Sequence, residues 1–210
     1  MVSRPYGIAG DAFTIYGSSL GDTPGKVTLG GCALRINAWS DSAIDVTIPA
    51  PFRPDAYQLL VTRADGQTPS TGLTFHLLDE HPSPWRGPTV LTVRQDGSGD
   101  YQTIQAAIDA APLWAETLIV VYPGLYAENL VLYKPIQLQG VGPGSPLGKD
   151  GVILDGGHPT LSGSLPVSNS RTMAQGTAIT VAGAWNTRSP HSASRIDGLT
   201  ITGANAGAIQ

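Results

Sequence analysis

The chain contains one cysteine, Cys32, so no disulfide can close within it, and the Cys and His spacing of a zinc site is missing. A lone free cysteine is expected as a small apolar side chain buried in a strand. Lysine is almost as scarce. Lys26, Lys134 and Lys149 are the only three, no basic run occurs, and the formal net charge is -4. Without clustered Lys and Arg nothing neutralises a phosphate backbone, which excludes nucleic acid as a partner. No stretch approaches the ~20 successive apolar residues of a membrane span, and Met1-Val2-Ser3-Arg4 leads into no apolar signal core. The chain is expected to be soluble and to carry no signal peptide. No residue set calls for a metal or a cofactor.

Charged residues make up only 13% of the 210, against 41% hydrophobic, which allows a sizeable buried core. Gly (26) and Pro (17) are together too few for low-complexity disorder but enough to demand many turns. The expected class is all-β, in one or two domains.

Over the first eighty residues "AFTIYG", "KVTLGG", "ALRIN", "AIDVTIP", "YQLLVTR" and "LTFHLL" alternate at period two, separated by turn signals such as "GDTPG", "WSDS", "PFRPD" and "ADGQTPS". That spacing suits a β-sandwich. The ordered series "DAFTIYGSSLG", "KVTLGG", "NAWSDSAIDVTIP", "YQLLVTRADG" and "TFHLL" resembles the IPT/TIG immunoglobulin-like domain across about residues 5–78. The resemblance implies a spacer or interaction module of a larger surface, secreted or signalling protein. One departure stands out: the family begins with a "P-x-I-x-x-V-x-P" strand, whereas only "RPYGIAG" precedes "DAFTIYG" here. Either the first strand is expected to be lost, or the chain to be cut inside a longer protein. Trp39, just before a turn, is expected to cover the end of the core.

Residues 79–89, "DEHPSPWRGPT", hold three prolines in eleven positions, which rules out a helix or a central strand and predicts a short, stiff linker. Trp85 within it is read as a packing residue. The predicted division is a sandwich at 1–78, the linker, and a second domain at 90–210.

The second domain opens with "VRQDGSGDYQTIQAAIDAAP". A strand runs into a Gly-permitted turn, and Ile104, Ala107, Ile108 and Ala111 then recur at i, i+3, i+4 and i+7 as one apolar stripe. A helix is predicted over about 103–111, with the Thr103 hydroxyl capping its start and Pro112 ending it. Beyond it lie "TLIVVYPG", "LYAENLVLY", "KPIQLQGVG", "GVILDGG", "GTAITVAG" and "SRIDGLTITG", short apolar strands each stopped by Gly or Pro. Near-continuous apolar strands at close intervals suggest a coil of short parallel strands, whose first turn needs a cap over its interior and its unpaired edge. The Ala-rich helix is assigned that cap, with Asp96, Asp100, Thr103, Ile104 and Ile108 as its structural residues.

"DGSGDYQTIQAAIDAAP", "IVVYPGLYAENLVL", "KPIQLQGVGPG", "VILDGG" and "RIDGLTITGANAG" resemble the pectin-lyase-like right-handed parallel β-helix superfamily, with the opening similar to its pectinesterase-like branch. The resemblance implies a right-handed parallel β-helix from about residue 90 to 210. In that branch the catalytic aspartates, arginine and glutamine lie on later coils, and the lyases' calcium-binding carboxylates do too. No catalytic residue is therefore assigned here, and Gln210 is not given the family glutamine's role.

Local chemistry supplies the remaining candidates. Asp96 and Asp100 of "DGSGD" are assigned to the turn and cap, two carboxylates being too few for a divalent ion. Glu128 and Asn129 are expected to hydrogen-bond the adjacent coil, since acid-base work needs a second carboxylate in reach. Residues 157–175 and 184–194 read as loops leaving the solenoid. The second carries Trp185, Asn186, Arg188 and His191, an aromatic plate beside polar groups, which is the composition that stacks on a sugar ring; simple packing of the loop is the other reading.

Two functions stay open. One is a non-catalytic module of a secreted or cell-surface protein, serving structure, assembly, adhesion or carbohydrate contact. The other is the N-terminal part of a polysaccharide-active enzyme such as a pectinesterase, lyase or glycoside hydrolase, with its active coils beyond residue 210. The location rests on the resemblance. Because "RIDGLTITGANAGAIQ" shows no second cap, self-association through an open end of the β-helix over Ile196, Leu199 and Ile201 is a further expectation.

Overall fold

The computed structural model describes residues 1–68, 72–80, 87–113, 115–143, 151–157, 177–181, 194–204 and 207–209. These are mostly β, with one short helix, and divide into two units, Met1–Gly87 and Pro88–Gln210.

In the first unit alternation has become two sheets. One contains β1 (Tyr6–Gly7), β8 (Leu73–Leu77), β7 (Asp55–Thr62), β3 (Lys26–Leu29) and β4 (Cys32–Ala33), in that order, and the other β2 (Ala12–Tyr16), β6 (Ala43–Thr47) and β5 (Arg35–Trp39). Phe13 of β2 stacks on Phe75 of β8 with ring centroids 4.6 Å apart, joining the two sheets across a core that includes Val27, Leu29, Ile44 and Val46. The β5–β6 pairing shifts register between Ile36 and Ala38, a bulge at which the Asn37 amide donates to the Thr47 hydroxyl at 2.8 Å.

The stretch "RPYGIAG" contributes a strand of two residues, Tyr6 and Gly7, which pair in parallel with His76 and Leu77. Cys32 lies in a strand as expected but is exposed. It follows the Gly30–Gly31 turn on β4, the outer strand of its sheet, while Leu34 takes up the buried position. Trp39 is half-buried, and its indole N–H donates to the Gly21 carbonyl at 2.8 Å, tying β5 to the loop before β3.

The second unit is built by repetition. β9 (Thr89–Val93) leads to α1 (Ile104–Ala110), and the chain then runs through β10 (Thr117–Val121), β11 (Gly124–Tyr126) and β12 (Leu130–Leu132). It returns as β13 (Ile136–Gly140), β14 (Val152–Asp155) and β15 (Thr177–Val181), and again as β16 (Arg195–Asp197), β17 (Thr200–Thr202) and β18 (Gly207–Ile209). β10 pairs in parallel with β9, and from β13 onward each strand stacks in parallel on the one three before it, giving β9-β10-β13-β16, β11-β14-β17 and β12-β15-β18. Leu118 to Val121 of β10, with Tyr126, Leu130, Leu132, Leu138 and Leu154, are buried, as parallel strands covered on both sides should be. Their counterparts Ile196 and Ile201 on the third pass are half-buried. Gly140 is needed where it stands, because a Cβ there would fall on the Gly198 carbonyl of the next pass.

The stripe predicted for α1 is realised: Ile104, Ala107, Ile108 and Ala111 are all buried, and the helix touches β9, β10 and β12.

Candidate functional site

Among the described residues of the second unit, polar side chains gather at the end covered by α1, in the opening turn and on one face of the four-stranded sheet. At the covered end, the first two amides of α1, those of Ile104 and Gln105, donate to the two carboxylate oxygens of Glu128, each at 2.9 Å. Thr103 holds the N-cap position with extended backbone, yet its hydroxyl makes no capping bond. The correction has a plain cause: a buried carboxylate is a stronger acceptor than a hydroxyl and can take both amides at once. Glu128, expected to bond the adjacent coil, bonds the helix instead. Its neighbour Asn129 does tie the passes together, donating to the Gly156 carbonyl at 2.9 Å and the Thr177 carbonyl at 2.7 Å.

The other end of α1 is held from the same segment. Lys134 Nζ donates to the Asp109 carbonyl at 2.5 Å and the Ala111 carbonyl at 2.8 Å, a cation placed where the helix leaves carbonyls unpaired. Burial pushes the Glu128 carboxyl up, with the Gln105 and Ile104 amides opposing, and pushes the Lys134 ammonium down, with Asp109 opposing. The Tyr126 phenol is pushed up to about 12 by burial and then by the Glu128 charge. Tyr133, whose hydroxyl donates to Asp109 at 3.0 Å, is likewise pushed up to about 12, by burial first. Glu128, Lys134 and Tyr133 are committed to holding α1, while the Tyr126 hydroxyl donates to the Tyr122 carbonyl at 2.9 Å.

Asp96 and Asp100 are both occupied in the opening turn. Asp96 accepts from the Ser98 amide at 2.9 Å and hydroxyl at 2.7 Å, and Asp100 from the Thr92 amide at 2.8 Å and hydroxyl at 2.7 Å. Those bonds lower both carboxyls, Ser98 acting chiefly on Asp96 and Thr92 on Asp100. Among the described residues no three His, Cys, Asp or Glu side chains group as metal ligands.

The gathering on the sheet face follows from strand register. Gln137 lies beside Arg195 and Gln139 beside Asp197, with Leu138 and Ile196 between them. Alternation puts the four polar residues on one face of the sheet and the two apolar ones on the other. The Gln137 amide donates to the Glu116 carboxylate, the Gln139 amide to the Gly140 carbonyl at 2.9 Å, and the Arg195 guanidinium stands 4.0 Å from the Asp197 carboxylate. Gln139 is buried, whereas the Arg195 side chain is about half exposed. Arg195 and Asp197 thus offer a guanidinium and a carboxylate, a donor and an acceptor of the kind that hydroxyl-rich or carboxylate-bearing ligands require. Sequence reasoning missed this face by treating the strands as uniformly apolar. The signal was there in "IQLQ" and "RID", which alternate.

Trp185, Asn186, Arg188 and His191 lie outside the described residues, as does Trp85. In the first unit an open hollow of about 180 Å³ is lined by Ala9, Phe52, Pro54, Leu78, Asp79 and Glu80.

No protein-family model matches the chain. Among solved structures it is similar to the γ-CGTase of alkalophilic Bacillus clarkii, 33% identical over 44% of this chain and 13% of that one with a TM-score of 0.35. Another is SGBP-B of the Bacteroides ovatus mixed-linkage glucan utilization locus, 16% identical over 42% of this chain and 22% of that one with a TM-score of 0.30. Among curated proteins it is similar to pectinesterase 3 of Solanum lycopersicum, 40% identical over 81 residues, which are 37% of this chain and 14% of that protein. It is also similar to pectinesterase/pectinesterase inhibitor 18 of Arabidopsis thaliana, 30% identical over 145 residues, which are 67% of this chain and 25% of that protein. The chain spans a quarter or less of the length of these curated relatives, and the similarity suggests a pectin-lyase-like fold in the stretch it covers.

Proposed function

We propose that this chain is a non-catalytic, carbohydrate-contacting module of a secreted or cell-surface β-helix protein. In this reading residues 1–78 are an IPT/TIG-like immunoglobulin-type sandwich, 79–89 a Pro-rich linker, and 90–210 the capped first coils of a right-handed parallel β-helix. The observation that carries it is the threefold rotation of the chain through the same three parallel sheets, begun under α1. Such a stack is a rigid scaffold that presents sheet faces and loops to a long polymer. The similarity to pectinesterases supports polysaccharide as the ligand class. Arg195 and Asp197, with the loop residues Trp185, Asn186, Arg188 and His191, are the proposed contacts.

The non-catalytic part is supported by how the carboxylates are used. Glu128 takes two backbone amides, Glu116 takes the Gln137 amide, Asp155 takes the Gly157 amide at 3.0 Å, and Asp197 faces Arg195. Glu128, Glu116 and Asp155 thus serve the scaffold. Incubation of the full chain with pectin is expected to release no methanol and no unsaturated product above buffer. Release that Asp155→Asn or Asp197→Asn abolishes would overturn the proposal.

The match to a pectinesterase over 67% of this chain favours a second reading, the N-terminal part of a polysaccharide-active enzyme. A parent reading frame with acidic pairs and an arginine on successive later coils would select it.

A further inference from the structure

The leading rim of the second unit consists of β9, β11 and β12, the first strand of each parallel stack. In a parallel strand the backbone groups of alternate residues point to opposite neighbours. Gly124 donates toward the pass above, to the Gly151 carbonyl at 3.0 Å, so Leu125 of β11 faces the rim, and by the same alternation Val131 of β12 and Thr92 of β9 do too. A bare rim of this kind is a template for another chain's strand.

Three of the rim-facing positions are bonded, two of them by side-chain amides that imitate a strand. The Val131 amide donates to the Gln105 side-chain carbonyl at 2.9 Å, and the Gln105 amide returns a bond of 3.4 Å to the Val131 carbonyl, as a peptide group would. The Gln95 amide donates to the Leu125 carbonyl at 2.7 Å. On β9 the Thr92 amide goes to the Asp100 carboxylate at 2.8 Å, and the Thr92 carbonyl accepts from the Tyr101 amide at 3.0 Å.

We infer that Gln95, Asp100 and Gln105 are strand-edge stops, which keep the leading rim from pairing with a free strand edge of a second copy of this chain. Burying apolar area over the interior is the task of α1; closing the hydrogen-bonding edge is the task of these three side chains. The two tasks are separable because Gln95 and Asp100 are exposed and lie outside the helix. This inference rests on the backbone groups alone and is independent of any carbohydrate ligand.

Sedimentation velocity of the full chain over a wide concentration range tests it. Gln95→Ala combined with Gln105→Ala is expected to sediment as larger species than wild type, increasingly so with concentration. Hydrogen exchange at the Val131 amide should quicken about tenfold, the loss of one ordinary hydrogen bond. Because Gln105 is buried, Gln95→Ala with Asp100→Ala is the second variant, changing only exposed side chains. Its expected result is the same association, with faster exchange at the Thr92 amide. A variant with wild-type circular dichroism and wild-type sedimentation at every concentration overturns the inference.

Discussion

Glu128 concentrates several effects in one side chain. It is buried, it accepts two helix amides, and its charge raises the Tyr126 phenol. Glu128→Ala leaves two buried donors unpaired, and the expected loss is about 2 to 4 kcal/mol in urea unfolding at neutral pH. The pH dependence has a definite sign. Burial raises the carboxyl in the folded chain above its unfolded value, so its favourable contribution is complete below the ordinary carboxylate range and is lost as pH rises through the raised value. Comparing wild type with Glu128→Gln between about pH 4 and 8 isolates this contribution. Wild type should lose stability relative to the variant as pH rises, and a relative gain would contradict the assignment. Cys32, exposed on β4, should react with a thiol reagent in the folded chain. A protected thiol would restore the buried placement expected from composition alone.

At the scale of elements, α1 was the most legible part of the sequence and its anchoring the least. Ile104, Ala107, Ile108 and Ala111 announced a buried face by spacing alone, and Pro112 announced its end. That its start would be capped from residue 128 and its end from residue 134 was not legible. Both partners are distant in sequence, and only the first parallel pass brings them beneath the helix. The same limit hid the polar face: "IQLQ" gives the alternation, but which strand lies beside it depends on the long excursion between β13 and β16. Two substitutions separate packing from anchoring. Ile108→Ala opens a cavity under the helix and should cost about 2 to 4 kcal/mol. Lys134→Met keeps most of the side-chain volume but removes the donor to Asp109 and Ala111, and should cost about 1 to 3 kcal/mol, read by the same unfolding measurement. Equal wild-type stability of Lys134→Met would show the ammonium to be incidental. Between passes, Gly140→Ala forces a methyl against the Gly198 carbonyl and should be at least as damaging as Ile108→Ala.

The whole molecule combines two ways of making β-structure. Residues 1–87 alternate and pair largely antiparallel, while residues 88–210 return every third strand to the same sheet in parallel. The turn-bounded strand runs made both patterns readable. The two-residue β1 was not readable, because a strand so short carries no period. Function lies one level further off, since a scaffold of this kind fixes where a ligand can be met but leaves its chemistry to a few side chains. The central claim, carbohydrate contact without turnover, is tested most directly by isothermal titration of the full chain with soluble pectin. The account predicts saturable binding, weakened at least about tenfold by Arg195→Ala or Trp185→Ala, the loss of one charged or stacking contact. Heat indistinguishable from dilution for wild type, or binding that both substitutions leave untouched, would contradict it.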